Sequence, residues 1–250
     1  MKRILSLITL LIFGLLSVPG PSHADIYMKR KRHTDAVKIM GMDQPAENVV
    51  EEIWITKKGF RSDDPKSSVI MLPYEQKVIM IDHRKKTYMI RDLTVDAMQV
   101  RIKEGKDPEK TAAMKGMMKN IMKIEAVVRA TDEKKKISSW NCKKYFLTLK
   151  TFMGEIENEV WATEDLKVDS ALYDQLTSSM ISVMPGMENS MKDVTSEIKK
   201  IKGIQVKTIS TQNIMNQSRK TVTDLMEFKD KKAPKNVFEI PKGYTKETLP

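Results

Sequence analysis

The chain has 250 residues, with 44 Lys and Arg against 33 Asp and Glu and a formal net charge of +11. The basic residues are interleaved with acidic ones along most of the chain, a pattern that argues against nucleic acid as a partner. Cys142 is the only cysteine, which excludes a disulfide framework and leaves the fold to burial alone.

The first 24 residues read as a cleaved export signal. Lys2 and Arg3 give a positive start, an apolar run spans Ile4 to Val18, and Ser22-His23-Ala24 offers the small residues that a signal peptidase needs. That run is shorter than the ~20 residues of a comfortable membrane span, so a membrane anchor is the weaker alternative. The expected product is a periplasmic protein beginning at Asp25, not lipid-anchored and with no transmembrane segment. It keeps 42 basic residues against 33 acidic ones. Cys142 should be buried, since a lone thiol in an oxidising compartment is safest when inaccessible. The densest basic runs, Lys29-Arg30-Lys31-Arg32 and Lys134-Lys135-Lys136, read as solvated faces and turns rather than as docking sites for anionic headgroups.

From Ile26 to Ile90 the signals are those of strands. Glu52-Ile53-Trp54-Ile55-Thr56 is β-branched and aromatic, and Lys57-Lys58-Gly59 turns it into Phe60-Arg61-Ser62 as a hairpin. Val69–Leu72, Lys77–Asp82 and Lys86–Arg91 continue as an antiparallel meander. The period then changes. Thr94 can cap a helix that Gly105 ends, and Asp107-Pro108-Glu109 starts another carrying Met114, Met117, Met118, Ile121 and Met122 on one stripe. Strands return at Ile124–Thr131, Ile137–Thr151 and Ile156–Thr163, the last with Ile156, Val160 and Ala162 on one face and Glu155, Glu157 and Glu159 on the other. A helix with Leu172, Leu176, Met180 and Met184 is broken by Pro185-Gly186 and followed by one with Met187, Met191, Val194 and Ile198. Two strands, Ile204–Thr211 and Lys220–Phe228, precede the tail Phe238–Tyr244. With no repeat or linker, residues 25–250 read as one domain.

Nineteen methionines are far above ordinary usage, and two groups of them, Met114/Met118/Met122 and Met180/Met184/Met187/Met191, follow helical spacing. They can fill irregular core gaps, form an adaptable surface for acyl chains or peptides, or bind a soft metal such as Cu(I). No His or Cys lies among them, which disfavours copper. The motifs of metalloproteases, serine hydrolases, P-loop proteins and dinucleotide-binding proteins are all missing. Asp82-His83 reads as a surface turn with no nucleophile to activate. The chain is expected to be no enzyme and to need no cofactor.

Glu51–Arg61 and Lys86–Ile90 resemble the opening of periplasmic proteins with the fold of the outer-membrane lipoprotein carriers LolA and LolB. Ser138–Tyr145 and Glu159–Asp165 are similar to the central hairpin of an uncharacterised exported family related to those carriers, and Phe238–Tyr244 looks like that family's close. The resemblance implies an α+β fold: a strongly curved antiparallel sheet, an unclosed half-barrel, with several helices over its concave face. It also implies an apolar cavity between sheet and helices. On this reading Met114, Met118, Met122, Leu176, Met180, Met184, Met187 and Met191 form its wall or lid around a lipid or acylated ligand, with Pro185-Gly186 as a hinge. The alternative is an interaction or sensory scaffold with a filled interior that meets an envelope protein partner. A copper-binding module stands third.

Overall fold

The computed structural model describes residues 25–39, 42–92, 124–151, 154–167, 172, 188–214 and 217–247. Fourteen strands carry the described fold. They are β1 (Ile26–Thr34), β2 (Val37–Ile39), β3 (Met42–Gln44), β4 (Glu47–Thr56), β5 (Gly59–Asp63), β6 (Ser67–Leu72) and β7 (Lys77–Asp82), then β8 (Thr87–Asp92), β9 (Glu125–Ile137), β10 (Trp140–Thr151), β11 (Gly154–Thr163), β12 (Ile204–Ile214), β13 (Gln217–Asp230) and β14 (Thr245–Lys246). Twelve of them form one sheet in the order β14-β8-β7-β6-β5-β4-β1-β13-β12-β11-β10-β9, and β2 pairs with β3 separately. Two five-stranded meanders, β4–β8 and β9–β13, are thus joined side by side through β1, which pairs antiparallel with β4 and with β13. Only β14 runs parallel to its neighbour β8.

This architecture overturns the expected α+β fold. Strands take 67% of the described residues and helix 7%. One α-helix is described, α1 (Glu188–Ile198), so the sheet is a large open one and not a half-barrel with several helices over a concave face. The physical reason lies in strand length: β9, β10, β12 and β13 run 11–14 residues each and satisfy their backbone groups by long mutual ladders. The helical stripes expected at 94–105 and 108–122 lie outside the described residues, as does the export signal.

Local chemistry explains most of the strand boundaries. The β4–β5 turn falls on Lys57-Lys58, where Thr56 Oγ1 accepts from the Lys58 N–H at 3.0 Å. Gly59 follows because a Cβ there would meet the Met71 carbonyl oxygen at 2.2 Å. The single strand expected over Ile137–Thr151 is instead the end of β9 and all of β10. Ser138, at φ 53°, turns the chain between them, a conformation that sequence pattern alone does not signal.

Strand alternation and register sort the side chains into two faces. One face carries α1: Val194 and Ile198 pack on Ile124 and Ala126, while Ile201 joins Tyr145, Leu147, Leu149, Val160 and Val128. A second cluster groups Met28, Ile53, Val206 and Leu225 with Leu172, a residue from the connection between β11 and α1. The opposite face carries the C-terminal tail. Phe238, Ile240 and Tyr244 pack on Ile70, Ile79 and Ile81, and Arg61 Nη1 donates to the carbonyls of Val237 and Glu239, each at 2.9 Å.

Candidate functional site

The helix-bearing face is not uniformly apolar. Register places Val49, Arg32, Thr223, Thr208 and Val160 in one row across β4, β1, β13, β12 and β11. The next row is Glu47, Thr34, Thr221, Ser210 and Asn158. A strip of hydroxyls, an amide and arginines therefore crosses the centre of the sheet, between the buried Tyr145, Leu147 and Leu149 on one side and Val69, Met80 and Met89 on the other. Its members are tied to one another. Thr221 Oγ1 donates to Thr34 Oγ1 at 3.2 Å, Ser210 Oγ donates to Asn158 Oδ1 at 2.5 Å, and Asn158 Nδ2 donates to the Leu147 carbonyl at 3.0 Å. Thr34, Thr208, Ser210, Thr221 and Thr223 are only half-buried, so their remaining hydrogen-bonding capacity faces outward.

At the edge of the strip lies a buried ion pair. Arg30 Nη2 is 2.6 Å from Glu51 Oε2, both side chains being 9% exposed, and Ser62 Oγ donates to Glu51 Oε1 at 2.5 Å. Burial alone would push the Glu51 carboxyl up. The Arg30 charge, the Ser62 and Arg30 hydrogen bonds and the Arg32 charge outweigh it and hold the group below its ordinary value. Arg30 thus corrects the expectation that the Lys29–Arg32 run is a solvated face. Lys29 and Lys31 lie on the opposite face, and alternation turns Arg30 and Arg32 to the side of Ile26 and Met28.

The tail-bearing face keeps its charges by stacking them on rings. Lys144 Nζ lies 4.9 Å from the Phe146 ring and 5.7 Å from that of Trp161, and it pairs with Glu133 at 3.2 Å and Glu159 at 3.3 Å. Glu159 also accepts from Trp161 Nε1 at 2.7 Å, so this carboxylate is built into the surface and is not free in solvent as the alternation of β11 suggested. His83, expected as a plain turn residue, is half-buried. It meets Ser68 Oγ at 2.6 Å and Tyr244 Oη at 2.9 Å, and Ser68 also donates to Asp63. This chain of groups pins the tail to β6 and β7. Cys142 is buried as expected, and burial pushes its thiol up.

Met114, Met118, Met122, Leu176, Met180, Met184 and Met187 lie outside the described residues. Met191 is placed only as a backbone position of α1. The described residues thus give no side-chain position for any of the eight expected wall residues. What the sequence reading missed is the strip itself. Its signal was present: Arg30 and Arg32 share the parity of Ile26 and Met28, and Thr221/Thr223 and Thr208/Ser210 repeat at period two. Among the described residues no group of three or more His, Cys, Asp or Glu could hold a metal ion. No described helix is long and apolar enough to cross a membrane.

No curated protein matches the chain. A solved structure described as "Structure of PNGF-II in C2 space group" is similar at 14% identity with a TM-score of 0.36. The match covers 90% of this chain but only 31% of that one, so the chain spans about a third of its length. A family model, "Domain of unknown function (DUF4412)", matches residues 39–244, from β2 to the tail on β6–β8, and the chain belongs to that family.

Proposed function

We propose that the protein is a periplasmic, non-enzymatic binding module that holds a lipid or acylated ligand on the helix-bearing face of its sheet. One observation carries this reading: the face joins a half-buried polar strip to an apolar wing in which Val69, Met80 and Met89 are themselves half-buried. An amphiphile needs both, an apolar bed for its chain and hydrogen-bonding groups for its head. Each methylene moved out of water contributes about 0.8 kcal/mol, so a chain of ~16 carbons gains strongly from such a bed. The export signal expected at residues 1–24 supports the periplasmic part of this reading. Native mass spectrometry of the exported protein, purified without detergent, tests it. An added mass that fragments into fatty-acyl species is expected. A clean apo mass that stays clean after incubation with phospholipid vesicles would refute it.

The scaffold reading is favoured by a different observation. The outer edge of β9 has no neighbouring strand in the described sheet, and Lys134, Lys135 and Lys136 are exposed along it. On that reading an envelope protein would copurify with the chain and no lipid would be found. Edge lysines also serve simply to block strand addition, which is why the ligand reading ranks first.

A further inference from the structure

We infer that the ligand bound on this face carries an anionic head, phosphate above all, and that Arg32 receives it. The inference rests on the binding reading above and adds the chemistry of the head. Arg32 sits in the central row of the strip between Val49 of β4 and Thr223 of β13, and it is half-buried. The two carboxylates on which its charge acts are Glu51 and Glu47. Both are engaged elsewhere: Glu51 is held by Arg30 and Glu47 is paired with Lys66. No carboxylate among the described residues forms an ion pair with Arg32.

Charge from the neighbouring elements has the same sign. Arg219 of β13 also acts on Glu47, and its Nε donates to the Asp35 carbonyl at 3.4 Å. The carboxylate of Asp35 is held by His33 Nε2 at 3.1 Å. Arg32, Arg219 and Lys66 therefore all act on the single carboxylate of Glu47, beside a row of half-buried hydroxyls. A guanidinium with N–H groups to spare, flanked by Thr223 and Thr34, offers the planar donor set that phosphate oxygens accept. Two rows along the same face, Ile53 and Ser62 lead to the half-buried Val69, Met80 and Met89, so a head on Arg32 can lay its chain towards them.

The experiment is calorimetric titration of the mature protein with dodecyl phosphate and with dodecanol, each kept below its aggregation concentration. The phosphate should bind at least about 10-fold more tightly than the alcohol, the value of one charge-assisted contact. Arg32→Gln should erase that preference, and Arg32→Lys, which keeps the charge but not the planar donor set, should retain part of it. Circular dichroism of each variant reports on folding. Equal binding of both probes, or a preference that survives Arg32→Gln, overturns the anionic-head inference and leaves the acyl-binding reading standing. Binding of neither probe overturns both.

Discussion

Replacing Glu51 with glutamine tests the ion pair that orders the centre of the helix-bearing face. In the native protein both partners are buried and 2.6 Å apart. Glutamine keeps the volume and one acceptor oxygen but removes the charge that neutralises Arg30. Removing one partner of a buried pair costs about 3–5 kcal/mol. The surviving amide oxygen puts the expected loss at the low end, about 3 kcal/mol. With a urea slope of about 2–3 kcal/mol/M, the unfolding midpoint should fall by about 1–1.5 M. The double variant Arg30→Met/Glu51→Leu buries no charge and should recover most of the loss.

The same pair predicts a pH dependence. The folded carboxyl lies below the 4.5 of the free group. Its stabilising contribution is therefore fully present above pH 4.5 and is lost as pH falls through the lower folded value. Glu51→Gln should flatten that acid limb. An unchanged midpoint for Glu51→Gln, within about 0.2 M in urea, would show that water solvates the pair, and the burial argument would be wrong.

Further predictions concern the frame. Gly203→Ala should lower stability by at least about 2 kcal/mol and Tm by at least about 4 °C, because Gly203 has φ +84° and a Cβ would lie 2.0 Å from the Thr163 carbonyl oxygen; an unchanged calorimetric Tm would contradict the close approach of these two segments. Leu147, fully buried, should cost about 2–5 kcal/mol as alanine, whereas Val127→Ala at an exposed position should stay within about 0.5 kcal/mol; chemical denaturation of both variants checks the assignment of faces. Burial, then the Glu52 charge and hydrogen bond, pushes the Tyr27 phenol up from 10.0 to about 12. Stability should therefore decline as pH rises from about 10 towards 12, and Tyr27→Phe should remove that slope; an alkaline limb identical in the two proteins would count against it. Native Cys142 should react with a thiol reagent only as fast as the chain opens, and rapid labelling of the folded protein would place the thiol at the surface.

Strand existence was legible in the sequence wherever period-two patterning and turn chemistry agreed. Glu52–Thr56, the Lys57-Lys58-Gly59 turn and Lys77–Asp82 fall where local preference predicts, and so do β11, β12 and β13 to within a few residues. The stripe of Val194 and Ile198 likewise marks the buried side of α1, since 3.6 periodicity is a local property of the chain. Local signals failed where partners are distant in sequence. Ser138 gave no turn signal. Arg30 read as solvated because Glu51 and Ser62, which bury it, belong to other strands. His83 read as a bare turn because Tyr244 reaches it from 161 residues away.

By itself, then, the sequence determined what depends on neighbours along the chain: the absence of disulfides, the antiparallel meanders, the short turns and the amphipathic stripe of α1. Tertiary structure alone decided which strand lies beside which. Insertion of β1 between β4 and β13 brings Arg32, Thr223 and Thr208 into one row, and it leaves strands rather than several helices as the bulk of the described fold. The physical reason is that strand pairing spends its specificity on backbone hydrogen bonds, which every sequence can make. Register and neighbours are therefore set by the summed burial of whole faces and not by any local motif.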